Sequence, residues 1–387
     1  MSDKVNDVKR FALPVSVGAA STWFGAHCGS GFASGRQYVQ YYSRFGATAI
    51  WTPIITWLIM VVAMYLIMEY CKLERITNYK DYAEKFYFPN SNFKYIPTLY
   101  FDFWLILAQL MGMAGVLAGG GALLESSFGM SYWLGVAITG IVILLAVVFG
   151  ANGLMRFSTA ITVGLIITIG IIGIILAKLY WDNLTYIVGN RIMAEGTTVA
   201  QAMWNAVLQA GVQIGIMGAM IALTTEMTKE KDIKQTAIGG AVLNFSMVML
   251  FGAGILATYP LFNGSALPVL EAIKEVDYPI LLISYQVLMF GALVTTGASC
   301  AFTMISRFNK YGKDKIQDVR IRNFIIVLII SAIGVFGSSF GLIAIFAQGY
   351  TILASLSIPG VLLPVLIFGP YRVKQARAKA KAEGREL

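Results

Sequence analysis

Seven stretches of this chain carry no Asp, Glu, Lys, Arg or His: Phe45–Met68, Phe103–Leu124, Phe157–Ala177, Gly196–Thr225, Gln235–Leu270, Tyr278–Ser306 and Asn323–Tyr371. One helical crossing of a bilayer takes about 20 apolar residues, so each stretch can span and the last is long enough for two. Only 13% of the 387 residues are charged and 57% are hydrophobic, whereas a soluble domain carries about 25% charge. The fold class is therefore an all-α polytopic membrane protein. Cys28, Cys71 and Cys300 are scattered, and His27 is the single histidine. That spacing supports neither a metal site nor a disulfide framework, and it argues against a metal enzyme. The polar segment Met1–Arg10 leads into no small-residue cleavage site, so no removable signal peptide is expected.

Ten crossings are predicted, at roughly 11–42, 46–70, 97–124, 131–150, 154–179, 198–227, 234–260, 279–306, 322–340 and 342–369. Of the 29 Lys and Arg residues, all but Arg36, Arg44, Lys178, Arg191 and Lys274 fall on the side of the N-terminus. The positive-inside rule then places both termini in the cytoplasm. The net charge of +9 is thus a cytoplasmic rim rather than a sign of nucleic acid. The domain plan has a cytoplasmic N-terminus over 1–10 and one transmembrane domain over 11–369. A basic tail over 370–387 is expected to lie on the membrane surface. The outer loop 261–278, with a helical turn after Pro268, reads as a cap over a vestibule or as an ordinary interfacial connection.

The first crossing holds four glycines within eleven residues, Gly25, Gly29, Gly31 and Gly35, mixed with Ser30, His27 and Cys28. Each Gly costs a helix roughly 1 kcal/mol against Ala, so a helix that stops and restarts is expected. Unpaired backbone at membrane depth survives only in protein or along a cavity. There the restarting half offers N–H groups and the stopping half carbonyls. Close packing between helices is the other use of such glycines. The sixth crossing repeats the pattern with Gln209, Gly211, Gln213 and Gly215. Five crossings separate the two starts, so the sixth enters from the opposite side. Paired interruptions of this kind point to an inverted-repeat transporter, repeat one over 11–179 and repeat two over 198–369. In the eighth crossing Ser299 shares a helix face with Thr295 and Thr296. Those hydroxyls either supply oxygen ligands for a hard cation or bond back to the preceding turn, and spacing alone favours the second.

These features together resemble the amino acid–polyamine–organocation superfamily with the LeuT fold. The segment Gly29-Ser30-Gly31-Phe32-Ala33-Ser34-Gly35 resembles the GxGFASG signature of the YkvI-like bacterial membrane proteins. The resemblance covers the architecture of nearly the whole chain, but its specific motif only the first crossing. It implies a substrate site at the two breaks and, as in sodium-coupled members, Na⁺ held by the carbonyls of Gly25 and Cys28 with the hydroxyls of Thr296 and Ser299, Thr295 in reserve. Glu69 resembles a glutamate that braces the sixth-helix break in some members. No lysine lies within Met155–Leu176 to act as the proton carrier other members place there, which favours sodium.

The expected site for a small-molecule substrate is therefore Gly29, Ser30, Gly31, Gln209, Gly211, Gln213 and Gly215, with Gln109 of the third crossing as a contact from the opposite wall. His27 is either a proton-coupling group or a packed, hydrogen-bonded side chain. Arg36 either gates the vestibule through an acidic partner or snorkels to the interface. The expected function is a secondary active transporter, not an enzyme, moving an amino acid or related amine with Na⁺ as coupling ion and needing no other cofactor. A proton-coupled carrier of organic cations or other small metabolites is the alternative. A channel would need an uninterrupted polar lining, and a sensor an added signalling domain. The sequence leaves the oligomeric state open.

Overall fold

The computed structural model describes residues 14–27, 29–88, 92–93, 95–148, 151–227, 229–276, 278–309 and 316–384. Among them, eight helices are long and apolar enough to cross a membrane, and Tyr132–Val148 is a shorter apolar one. With the first crossing, which is built from pieces, they make ten. The other nine crossings run over Thr52–Glu74, Tyr95–Phe128, Tyr132–Val148, Ala151–Leu179, Val199–Leu223, Glu230–Ala257, Pro279–Phe308, Val319–Ser338 and Gly341–Ala382. Close approaches of small residues hold neighbours together, as expected where lipid is as apolar as the side chains. The fifth and seventh crossings meet backbone to backbone, a Cβ on Gly254 falling 2.6 Å from the Gly173 carbonyl oxygen.

The first crossing is broken as its glycines require. A helix over Val15–His27 stops, a single turn covers Ser30–Ala33, and a third piece covers Arg36–Tyr41. Gly35 joins the last two with φ +77°, a conformation that a Cβ disfavours. Ser34 caps the new start, its hydroxyl accepting from the Arg36 N–H at 3.2 Å. The sixth crossing is interrupted at the expected place but more mildly. Its chain tightens into a 3₁₀ turn over Ile214–Ile216 and continues as Met217–Leu223.

The last crossing departs from expectation at its basic end. The helix passes Pro370 and runs to Ala382, with π turns at Ile345–Gly349 and Ile358–Leu362. The tail is therefore docked on protein rather than laid on the membrane surface. Arg377 pairs with Glu69 of the second crossing and Glu230 of the seventh, and Lys379 with Glu74.

Candidate functional site

The break in the first crossing faces the eighth helix. A Cβ on Gly29 would lie 3.6 Å from the Thr296 hydroxyl oxygen, and one on Gly25 3.8 Å from a methyl of Thr162 in the fifth crossing. The Thr295 hydroxyl donates to the Ala292 carbonyl at 3.1 Å and Ser299 to the Thr295 carbonyl at 2.8 Å. Both thus bond back to the preceding turn, as the plainer sequence reading allowed. Their oxygens keep lone pairs, so back-bonding leaves cation ligation open. Cys28 lies outside the described residues. Thr296, Ser299, Thr303 and Ser306 follow one face of the eighth helix at three- and four-residue spacing, and the last three are exposed. This hydroxyl face leads toward the basic side, to a cavity of about 330 Å³ lined by Thr303, Ser306 and Arg307 with Tyr79, Asp102 and Gln109.

Gln109 lines that cavity on the basic side. Arg307 is paired with Asp102, which also accepts from the Tyr79 hydroxyl at 2.7 Å. Burial and the bond to Asp102 push the Tyr79 phenol up to about 12, so it remains a donor at neutral pH. A larger hollow of about 450 Å³, lined by Tyr38, Ile50, Leu184, Met249 and Leu256 among others, is almost wholly apolar. Its lining includes none of the residues at the two breaks.

On the opposite side the first and sixth crossings are laced by polar contacts. Arg44 donates to Asn205 Oδ1 at 3.0 Å and Gln37 Nε2 donates to Gln209 Oε1 at 3.2 Å. Asn205, Gln209 and Gln213 are four residues apart on one face and all buried. Arg36, 6% exposed, donates to the carbonyls of Asn263 (2.5 Å) and Ser265 (3.1 Å) in the loop after the seventh crossing. Both expectations for Arg36 are corrected. It pairs with no described acid and does not snorkel, because the loop after the seventh crossing turns its carbonyls onto the guanidinium. The helix Pro268–Lys274 packs on the same segment, Val269 N–H meeting the Ser34 carbonyl at 3.4 Å and the Val269 side chain facing Gly35. The Tyr285 hydroxyl donates to the Ala33 carbonyl at 2.8 Å. Phe346 of the tenth crossing lies against Gly31. This side of the break is closed.

Other expected residues serve packing. The Gly211 carbonyl accepts from the Ser357 hydroxyl at 2.5 Å, and a Cβ there would meet Ile358 at 2.8 Å. Gly211 is thus a close contact between the sixth and tenth crossings. A Cβ on Gly215 would have its nearest neighbour at 4.0 Å, on Trp104 of the third crossing. Glu69 does not brace the sixth-helix break. It sits at the basic end of its helix, bound by Arg377 Nε at 3.0 Å. His27 is buried between Phe32 and Trp57, each ring centroid 5.0 Å away, with Nδ1 2.6 Å from Asn244 Oδ1. Asn244 Nδ2 donates to the Gly240 carbonyl at 2.7 Å, which fixes its oxygen toward the imidazole. His27 therefore carries its proton on Nδ1 when neutral. Sequence reasoning missed Gln37, Arg44, Asn205 and Asn244. The i, i+4, i+8 spacing of Asn205, Gln209 and Gln213 was the available signal.

No family model matches the chain. The uncharacterized membrane protein YkvI of Bacillus subtilis (strain 168) is 26% identical over 290 residues, 72% of this chain and 76% of that protein. The structure of MhsT in complex with L-phenylalanine superposes with a TM-score of 0.59 at 15% identity, over 96% of this chain and 99% of that one. A Na⁺-coupled sialic acid symporter in a substrate-bound outward-open state gives 0.61 at 12% identity, over 93% and 90%. At such identities the structural likeness concerns the fold. The chain is a membrane protein with the LeuT fold, similar in sequence to a YkvI membrane protein.

Proposed function

We propose that this chain is a secondary active transporter of the cell membrane, its termini cytoplasmic, which moves a small polar solute by alternating access with Na⁺ as coupling ion. The solute class is an amino acid or a related amine. The observation that carries this reading is the end of the first helix at His27, with Gly29 set against the Thr296 hydroxyl, closed toward one side by the loop after the seventh crossing and continued toward the other by exposed hydroxyls. A site closed on one side and reachable from the other is one half of an alternating-access cycle. Structural neighbours described as a Na⁺-coupled symporter and as a complex with L-phenylalanine support the coupling and solute class. In this reading Gly25, Cys28, Thr296 and Ser299 hold Na⁺, with Thr295 behind them. Solute occupies the space around Gly29, Ser30 and Gly31, facing Gln209 and Gln213.

The test is thermal stability of the purified protein against amino acids and amines, each in Na⁺ and in choline buffer, since a ligand of the folded state raises the melting temperature. A shift that needs both Na⁺ and one compound, and that disappears in Thr296→Ala and Ser299→Ala, is expected. A second reading, a proton-coupled carrier of organic cations or other small metabolites, is favoured by the buried His27 beside the break. A ligand shift indifferent to Na⁺, but moved by pH and by His27→Gln, would select it.

A further inference from the structure

We infer that the outer half of the carrier is built to admit a solute through its negative group, with Arg36 and Arg44 as the groups that receive it, so that the solute bears a carboxylate or a comparable anion and no excess positive charge. This rests on the transporter reading above and narrows its solute class. Arg36 stands on the outer part of the first crossing, and Arg44 lies just beyond it in the 3₁₀ segment Ser43–Ile50. Neither takes part in any ion pair among the described residues. Their partners are neutral: the Asn263 and Ser265 carbonyls for Arg36, and for Arg44 the Asn205 amide oxygen and the face of the Phe45 ring, 4.7 Å away. Each also keeps an Nε with no partner, shielded from solvent.

A buried charge left without a counter-charge is costly; Arg36 is buried and Arg44 half-buried. Arg322 is likewise buried and in no ion pair among the described residues, but its acceptors are near in sequence: the carbonyls of Ile316 and Gln317, six and five residues before it, and the Asn309 amide thirteen before it. Arg36 instead reaches a loop 227 residues away, which must lift when the outer side opens. Lifting it frees the fork of donors that suits a carboxylate. Inward from Arg44 the wall continues as Asn205, then Gln209 with Gln37, then Gln213. These neutral amides offer N–H donors and place no fixed negative charge along the way. Glu271, on the helix Pro268–Lys274, accepts from the Ser126 hydroxyl and pairs with Lys274. Such a path attracts an anion and repels a cation.

Two readouts on the full-length purified protein test this. The first needs no solute. The melting temperature of Arg36→Gln and Arg44→Gln should equal or exceed that of the parent, since each change removes an uncompensated charge. A clear fall in Arg36→Gln that Arg36→Lys avoids would make Arg36 a structural strap and overturn the proposal. The second is a panel of amino acids, each tested beside the amine left by its decarboxylation. At least one acid should shift the melting temperature while its amine does not. Its affinity should fall at least tenfold in Arg36→Gln, recover in part in Arg36→Lys, and weaken with added salt. An amine that binds as well as its parent acid, unaffected by Arg36→Gln, overturns the anion proposal and leaves the transporter standing. If no compound binds, the amino-acid and amine class assigned above fails, and the first readout alone decides for the anion.

Discussion

A methyl group at Gly31 should unlock the outer side. A Cβ built there lies 2.4 and 2.5 Å from two ring carbons of Phe346 and 2.9 Å from Gln37 Oε1. Phe346 is fully buried and packed at 4.6 Å against Tyr350, so its ring has little room to withdraw. Overpacking of this kind costs about 1–3 kcal/mol. The cost falls on the closed arrangement, because the contact joins the first crossing to the tenth across the closed side. If an open arrangement relieves it, the balance moves by about 5- to 150-fold. Hydrogen exchange reads this directly. In Gly31→Ala, protection across 34–42 and 258–276 should fall by that factor, while protection of the second-crossing helix Thr52–Glu74 stays as it was. Adding Phe346→Leu should restore protection, since the two positions share one contact. Unchanged exchange in Gly31→Ala, or a loss spread evenly over the molecule, would refute the idea that this contact holds the outer side shut.

Three further outcomes follow from the packing. Asn244→Leu should cost about 1–3 kcal/mol in a denaturation measurement by leaving the His27 N–H without an acceptor; His27→Phe added to it should recover most of the loss, and ¹⁵N spectra of the single histidine should report the Nδ1–H tautomer in the parent. Arg377→Gln should destabilise by about 1–3 kcal/mol, between the exposed and buried limits for an ion pair, because Glu69 is 3% exposed and Arg377 38%; Glu69→Gln should relieve it. Gly254→Ala should sit near the upper end of overpacking costs, about 3 kcal/mol by thermal melting, because the obstacle is the Gly173 backbone and not a side chain that can turn away.

The crossings were legible because bilayer thickness acts on every residue of a span, and the chain writes that constraint as long runs without charge. The first break was legible for a similar reason, since Gly25, Gly29, Gly31 and Gly35 together oppose a continuous helix. The hydroxyl face of the eighth crossing followed from Thr295, Thr296 and Ser299, which lie within one turn. What stayed hidden is how side chains are shared between distant segments. His27 and Asn244 are 217 residues apart and Arg44 and Asn205 are 161 apart, and no local pattern announces such a pair. Arg36 misled because an arginine near a vestibule suggests an acid, whereas the loop supplied carbonyls. Glu69 misled in the same way, since its partner lies in a tail that basic composition alone assigns to the lipid surface. The sixth crossing needed less disruption than its glycines suggested, because Gly211 is spent on contact with Ser357 and Ile358.

The helix Gly341–Ala382 has 42 residues, which at 1.5 Å each makes a rod about 60 Å long, twice the hydrocarbon thickness. Its far end is bolted to the second and seventh crossings through Arg377 and Lys379. Tied in this way, the basic end of the rod moves together with the second and seventh crossings. A rearrangement of the tenth crossing in the membrane is thereby passed to two other crossings at the basic face, and a spectroscopic label beside Glu383 would register it far from the site where it begins.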